Sequence, residues 1–494
     1  MIAADRLTIE GGTPGAVLME AAGKGIADII LARFPRRPVA VICGPGNNGG
    51  DGFVIARYLA AAGWPVRLAL LGQESKLQGD AALNARRWRA EMSGAVEPLT
   101  TAVLDGAEII VDALFGAGLA RPLDGAARDV VEKAAAMKVA VIAVDMPSGV
   151  DGDSGEVAGA AAPAKLTITF FRKKPGHLLM PGKALSGEVR VIDIGISATV
   201  LREIRPSAFE NGPGIWGDDF PWPGPDAHKY SRGHVVIGGG AEMTGAARLA
   251  ARAALRIGAG LVTIASQPEA VPIYASYMPG VLTCPLRRAS DFAAYLKDPR
   301  RRAVLLGPGQ GVDRKTHTQV LTALALGKRV CLDADALTVF GQHAQELFAA
   351  IADNAGAGGS VVLTPHEGEF RRLFPHLCQT GGSGLDKLSR ARAAARESGA
   401  TVLIKGSDTV IAAPDGRALI NANAPPDLAT GGSGDVLAGL IVGLMAQGLG
   451  PLTSAGMAAW VHGAAATGFG PGLIAEDLSD CIPGVLRDLR NWYG

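Results

Sequence analysis

The sequence predicts two α/β domains in tandem, the first built on a doubly wound parallel sheet. Three observations predict this. Short β-type runs alternate with helical segments along most of the chain. Those runs are nearly continuous in apolar residues, as strands buried on both faces should be. The chain has 494 residues, and the alternation breaks once, in a Pro-, Gly- and Trp-rich stretch at 205–233; that length is more than one core usually serves.

In the first half, VAVIC (39–43), VRLALL (66–71), EIIVDALF (108–115), VAVIAVDM (139–146), KLTITF (165–170) and VRVIDI (189–194) read as strands. FVIARYLAAAG and GAARDVVEKAAAM read as helices between them. A second series follows the break: HVVIGGG, GLVTIAS, AVLLGPG, RVCLDAD, SVVLTPH, TVLIKG and TVIAA, each ending in a polar or glycine-rich turn. The expected division is a first domain at 1–210, a linker at 211–225 and a second domain at 226–494. Arg248, Arg252 and Arg256, spaced by four, read as a solvated helix face.

Composition excludes several function classes. The net charge is +1, which gives no electrostatic case for nucleic acid or an anionic membrane. The longest greasy stretch, VLAGLIVGLMA at 436–446, is too short for the roughly 20 residues of a membrane span and reads as a buried helix. Five scattered cysteines without C-x-x-C spacing argue against a metal cage or disulfide framework and suit a reducing cytoplasm. The opening MIAADRLTIEGG has charges where a secretory signal would need an apolar core. The expected partners are small molecules and a second copy of the chain, as a homo-oligomer.

In open α/β sheets ligands bind beyond the carboxyl ends of the strands, so the chemistry is expected in the turns there. CGPGNNGGDG at 43–52 contains G-x-G-x-x-G. As a dinucleotide fingerprint it is weak, because only Glu74 stands near the expected acidic position; no G-K-[ST] follows, so it is not a Walker loop. What remains is a turn of N–H groups at a helix start, suited to phosphate. To these are added amide oxygens from Asn47 and Asn48 and a carboxylate from Asp51. Asp112 and Ser148 follow two other strands, and with Asn48 they form an oxygen-only set with one negative charge. That suits a monovalent cation better than Mg2+. Asp145 is left as a candidate acid/base. Each aspartate taken alone reads equally as a cap or turn former.

NNGGDG, D-x-x-x-G-x-G and D-x-P-S-G in this order, with LMEAAG at 18–23, resemble the NAD(P)H-hydrate epimerase family, the amino-terminal half of bifunctional nicotinamide nucleotide repair enzymes. The resemblance implies a Rossmann-like fold and a potassium ion held by Asn48, Asp112 and Ser148. It implies a substrate site at Asn47, Asn48, Gly49, Gly50 and Asp51 and at Gly116, Ala117, Gly118, Leu119, Ala120, Arg121 and Pro122, with Asp145 facing the altered ring. Ala117 stands where many relatives have threonine.

In the second half, ATGGSGDVLAGLIVG at 429–443 is a glycine turn leading into a helix. Its N–H groups and the helix dipole can converge on an anion, with Asp435 placed to take a proton from a hydroxyl as phosphate is attacked. A simple helix cap is the alternative role for Asp435. The turn resembles ribokinase-like kinases. With HKYSRG, GPGQG, DADAL, TPHEGEF and KGSDTV, the half resembles the ADP-dependent NAD(P)H-hydrate dehydratase family. The resemblance implies that Lys405, Gly406, Ser407, Asp408, Thr409 and Gly434 contact the adenine nucleotide, and that Ala246, Gly309, His366 and Asp435 contact the hydrated coenzyme. His366 reads alternatively as a structural histidine, and Lys229 as a phosphate contact. Mg2+ is expected with the nucleotide, although no dedicated carboxylate cage is visible. Tyr230 and the run Gly238–Gly240 are unusual for the family. The rival readings are a small-molecule kinase, which leaves the first half unexplained, and a nucleotide-binding scaffold without catalysis.

Overall fold

The structure is a computed structural model that describes residues 1–119, 121–378 and 384–493. The chain forms two compact units, Met1–Pro206 and Ser207–Gly494. Among the described residues no helix is long and apolar enough to cross a membrane.

The first unit holds β1 (Val39–Cys43), β2 (Val66–Leu70), β3 (Glu97–Pro98), β4 (Ile109–Ala113), β5 (Ala140–Val144), β6 (Leu166–Phe170) and β7 (Glu188–Ile192). They pair in the order β3-β2-β1-β4-β5-β6-β7, and every pairing is parallel. Strands β1, β4 and β6 are buried at every position. Apolar clusters on the two faces explain the unbroken hydrophobic runs: one contains Val41, Val111 and Phe53, the other Ile42, Ile110 and Val130. The winding reverses between β1 and β4. In a doubly wound sheet that opens a crevice outside the carboxyl ends of those two strands.

The second unit holds β8 (Ala208–Glu210), β9 (His234–Gly238), β10 (Leu261–Ser266), β11 (Val281–Pro285), β12 (Arg301–Leu306), β13 (Arg329–Leu332), β14 (Ser360–Leu363), β15 (Thr401–Ile404), β16 (Thr409–Ala412) and β17 (Ala418–Asn421). Their order is β11-β10-β9-β12-β13-β14-β15-β16-β17-β8. The sheet is parallel except for the β15–β16–β17 meander. Its winding reverses between β9 and β12.

The apolar helix Ser433–Ala446 is buried from Val436 to Ala446. It packs against the helix Thr244–Arg256 so closely that a Cβ on Gly439 would lie 2.3 Å from the Ala250 carbonyl oxygen. Glycine here lets two backbones meet.

Three expectations are corrected. Residues 211–225, expected as a linker, begin inside the second unit. β8 pairs with β17, Asn211 is buried, and Trp216 is 2% exposed. The Pro and Gly density marks irregular turns, while the tryptophan packs edge-on against Trp460. The arginine row is not a uniformly solvated face. Arg252 and Arg256 both reach Asp480, at 2.5 and 3.6 Å, and Arg248 lies over the Tyr277 ring. The strands β3, β8, β11 and β17 were not anticipated. The first two have only 2 and 3 residues, too few to show a period, and β11 is largely unburied.

Candidate active sites

The first site grows from three strand ends. Gly44, after β1, approaches β4's end so tightly that a Cβ would sit 1.8 Å from the Leu114 carbonyl oxygen. A Cβ on Gly49 would meet the Gly44 carbonyl at the same distance. These two glycines let the chain turn directly into the helix Asn47–Ala61, whose N-cap is Gly46. Asn47 to Asp51 are thus the first turns of a helix; the Gly50 N–H bonds the Gly46 carbonyl at 3.1 Å, and the N–H groups before it are the ones a helix start leaves free for an anion.

Asn48 and Asp145 converge on Gly116: a Cβ there would lie 3.1 Å from Asn48 Oδ1 and 2.8 Å from Asp145 Oδ2. The Asn48 Nδ2 is buried without a partner. Asp145 sits at φ +65°, a conformation that L-residues rarely adopt away from functional sites. Its carboxylate accepts from the Ala117 N–H at 2.9 Å and the Thr169 hydroxyl at 2.8 Å, and it pairs with the Lys174 ammonium. Burial disfavours the ionised form, but Lys174 and these donors outweigh it and hold the Asp145 pKa below the usual carboxylate range. Asp51 is the opposite case: burial, then the charges of Asp145 and Asp5, push it well above that range.

Asp112 accepts from the Ser148 hydroxyl at 2.6 Å and the Ser148 N–H at 2.8 Å. Burial raises its pKa against those bonds. Gly118 is exposed, as are Arg121 and Pro122, and Leu119 is half-buried. They form a rim around the crevice; Ala120, also expected there, lies outside the described residues. Glu74 is engaged elsewhere, by Arg89 at 2.7 Å.

The second site repeats the plan at its own switch point. A Cβ on Gly240 would sit 1.7 Å from the Gly309 carbonyl oxygen. The run Gly238–Gly240 thus admits the GPGQG turn against the end of β9. One on Gly309 would meet the Ala246 Cβ at 3.2 Å, so Ala246 and Gly309 are neighbours.

Lys405, after β15, donates to Asp333 Oδ1 at 2.6 Å and lies 3.9 Å from Glu369 Oε2. A Cβ on Gly434 would be 3.7 Å from its Nζ. Burial opposes the Lys405 charge, but Asp333 and Glu369 overcome it and raise its pKa. Asp435 stands in the first turn of the helix Ser433–Ala446, whose N-cap is Gly432 and which has no side-chain cap bond. Its carboxylate is therefore not spent as a cap. Burial first, then Asp333, push its pKa up to about 6, with Lys405 opposing and Asp335 adding to the rise.

The remaining expected contacts are mostly tied up. His366 Nδ1 accepts from the N–H groups of Gly368 and Glu369 at 2.9 and 3.4 Å, capping the helix Glu367–Leu373. Asp408 pairs with Lys387 at 2.5 Å. The Thr409 hydroxyl donates to the Gly406 carbonyl at 2.8 Å, which leaves Gly406 and Ser407 as an exposed turn. Lys229 lies at the other end of the sheet: a Cβ on Gly260, just before β10, would meet its carbonyl oxygen at 1.9 Å. It does not face the carboxyl-end turns where phosphate would bind.

The family model for NAD(P)H-hydrate dehydratase matches residues 234–482, and that for the YjeF-related protein N-terminus matches residues 15–176. A protein of Salinibacter ruber called bifunctional NAD(P)H-hydrate repair enzyme Nnr is 37% identical, over 99% of this chain and 95% of its own length. One of the same name from Thermofilum pendens is 36% identical, over 97% and 93%. The chain belongs to the bifunctional NAD(P)H-hydrate repair enzyme family. A solved ADP/ATP-dependent NAD(P)H-hydrate dehydratase from Bacillus subtilis is 27% identical over 55% of this chain and 94% of its own, with a TM-score of 0.45.

Several site residues in this family member were not visible in the sequence. Lys174, Thr169 and His177 surround Asp145, with His177 Nε2 2.8 Å from the Asp145 carbonyl oxygen. Asp333 and Glu369 surround Lys405. The strand end after RVCL marked Asp333 as a turn residue, but nothing in the sequence paired it with a lysine 72 positions away.

Proposed function

We propose that the first unit interconverts the R and S hydrates of NADH and NADPH, and that the second dehydrates the S form to NAD(P)H, converting ADP to AMP and phosphate. One observation supports this best. Each unit sets a carboxylate, buried in the first and half-buried in the second, with a lysine close by, at a glycine-rich turn beyond the carboxyl ends of its strands. That is a bifunctional arrangement, and a small-molecule kinase would leave the Asp145 site without a task.

In the first unit the N–H groups of Asn47, Asn48 and Gly49 and of Gly116 and Gly118 hold the coenzyme phosphates, with Leu119, Arg121 and Pro122 at the rim. Asp51, whose pKa burial raises, lies in the same turn and contacts the substrate. Asp145 is ionised and takes the proton of the hydroxyl at the altered ring carbon as the bond from that carbon to the ring nitrogen breaks; the nitrogen keeps the electron pair and receives a proton from the Lys174 ammonium, and the resulting aldehyde turns before the same steps run in reverse and close the ring on its other face. Asn48, Asp112 and Ser148 present oxygen donors with one charge, a set that fits K+. Among the described residues no group of three or more His, Cys, Asp or Glu could hold a metal, so an amide and a hydroxyl complete this set. The ion supplies positive charge next to the phosphates.

In the second unit Lys405, the Gly406–Thr409 turn and Gly434 bind the nucleotide, while Ala246, Gly309 and His366 border the hydrated ring. Asp435 removes the proton from the ring hydroxyl as its oxygen attacks the β-phosphorus of ADP, and AMP departs. The new phosphate ester then eliminates: a proton leaves the neighbouring ring carbon, the C–O bond breaks, and phosphate carries off the electron pair. Phosphate leaves far more readily than hydroxide, which is why a nucleotide is consumed. Lys405 fills the space between Asp333, Glu369 and Asp435, so Mg2+ would arrive on the nucleotide's own phosphates with few protein ligands.

Incubating the protein with a mixture of hydrated NADH epimers and ADP tests both halves. Full return of the reduced-nicotinamide absorbance is expected. Asp145→Ala is expected to stop at the S portion, and Asp435→Asn to return none. Full dehydration by Asp435→Asn would overturn the role given to that residue.

A further inference from the structure

The ends of β5 and β6 carry two strained turns. The Met146 N–H bonds the Val144 carbonyl at 2.8 Å across Asp145, and the Arg172 N–H bonds the Phe170 carbonyl at 2.6 Å across Phe171. With φ at +65° and +59°, both are three-residue turns of the rare γ form, which a residue other than glycine keeps only where its surroundings hold it. The Asp145 N–H is anchored on the Ile168 carbonyl at 2.8 Å. Its carbonyl oxygen meets a side chain instead: His177 Nε2, at 2.8 Å.

His177 is 2% exposed, and both of its ring nitrogens are engaged. Nδ1 lies 2.9 Å from the Lys174 backbone nitrogen. That N–H can only donate, so Nδ1 is the bare nitrogen and Nε2 carries the proton given to the Asp145 carbonyl. Burial pushes the His177 pKa down to about 4, so at neutral pH the ring is uncharged, as this pair of bonds requires. The turn Pro175–His177 that bears it is itself pinned. The Gly176 N–H donates to the Gly152 carbonyl at 2.8 Å, and a Cβ on Gly176 would lie 2.4 Å from the Asp151 carbonyl oxygen. One imidazole thus ties the backbone of Asp145 to the backbone of the lysine that pairs with its carboxylate. An apolar side chain of similar size would fill the same space and leave both backbone groups without that partner.

We infer that His177 is a positioning residue for epimerisation: its Nε2–H holds the Asp145 carbonyl, and with it the strained turn that aims the carboxylate at the Lys174 ammonium and the ring hydroxyl. The inference rests on the reading of the first unit as an epimerase. In that reaction Asp145 removes one proton and Lys174 supplies another, so the two side chains must keep their spacing while the ring opens and closes. The bonds that the Asp145 carboxylate receives from Ala117 and Thr169 orient the side chain but do not hold its backbone. A misplacement of about 1 Å costs roughly 10²-fold in rate.

The test is interconversion of the R and S hydrates of NADH without ADP, followed by separating the two epimers. It is run with melting curves on the full chain and on His177→Leu, His177→Gln and His177→Asn. Glutamine can bring an amide N–H to the place of Nε2, whereas asparagine reaches only the place of Nδ1, toward Lys174. His177→Leu and His177→Asn are each expected to lower kcat by about 10²-fold while KM moves by less than about twofold. His177→Gln should recover kcat to within about tenfold of wild type, because the donor to the Asp145 carbonyl is restored. The asparagine and glutamine variants decide the matter should the leucine variant fail to fold. Wild-type kcat in either the leucine or the asparagine variant would overturn the inference. So would a glutamine variant no faster than the asparagine one, a loss carried by KM, or a loss that only tracks a lower melting point. If the wild-type chain itself does not interconvert the hydrates, the epimerase reading fails and takes the inference with it.

Discussion

Asp145 is a buried carboxylate and Asp435 a half-buried one, both beside a lysine, yet their environments push them in opposite directions. Asp145 pairs with Lys174 and receives an N–H and a hydroxyl as well. Lys405 is shared with Asp333 at 2.6 Å, so Asp435 sees two like charges and keeps a pKa near 6. Lys174→Met should therefore raise the Asp145 pKa, because burial then acts unopposed. The acid limb of the epimerisation rate should move to higher pH, and the rate should fall by about 10²–10⁴ for a lost proton-transfer partner. Following R/S interconversion against pH checks both effects, and an unmoved acid limb would contradict the pairing. For Asp435 the sign runs the other way. Its folded pKa lies above the unfolded value of 3.8, so ionising it above pH 6 costs stability. Asp435→Asn should abolish dehydration and yet melt higher by roughly 2–4 °C at pH 8, the effect of about 1 kcal/mol in a domain this large. At pH 4 the gain should vanish. Dehydration by the wild type should fall as pH drops through about 6.

Helices and turns are held by what their glycines allow. Ser433–Ala446 presents almost no polar face, so it can sit only inside a core, and it gets there by backbone contact at Gly439. Gly439→Ala puts a methyl 2.3 Å from the Ala250 carbonyl oxygen; both helices would have to part, at about 1–3 kcal/mol. Urea unfolding of the second unit should show that loss, and a variant as stable as wild type would mean that the helices are not so closely packed. The same move would also tilt Asp435 and the glycine loop. Gly44 and Gly49 play the corresponding part in the first unit, where the turn and the helix start touch through their carbonyl oxygens.

At the scale of the whole chain, two doubly wound sheets each reverse their winding once, and each opens its crevice where glycine loops from the two flanking strands meet. Under the proposed function each unit carries the side chains for its own step. Asp145→Ala and Asp435→Asn proteins mixed in solution should therefore restore full conversion of both hydrate epimers, although neither does so alone. Absorbance recovery reads this directly, and failure of the mixture would show that the two steps must share one chain. Much of this was legible beforehand. The strand runs, the glycine turns at 44–52, 307–311 and 431–434, and the aspartates at 145 and 435 were fixed by local pattern, because burial on both faces and phosphate binding by N–H groups demand particular residues at neighbouring positions. The linker expected at 211–225 misled because Pro and Gly suggest open chain, while the packing of Trp216 depends on Trp460, in a helix more than two hundred residues on. Only tertiary structure joined Lys174 to Asp145 and Lys405 to Asp333, capped a helix with His366, and bridged Asp145 and Lys174 with the His177 ring. Local order in the chain sets which groups are present; the charge state of a buried acid depends on which distant neighbour the fold brings within a few ångströms.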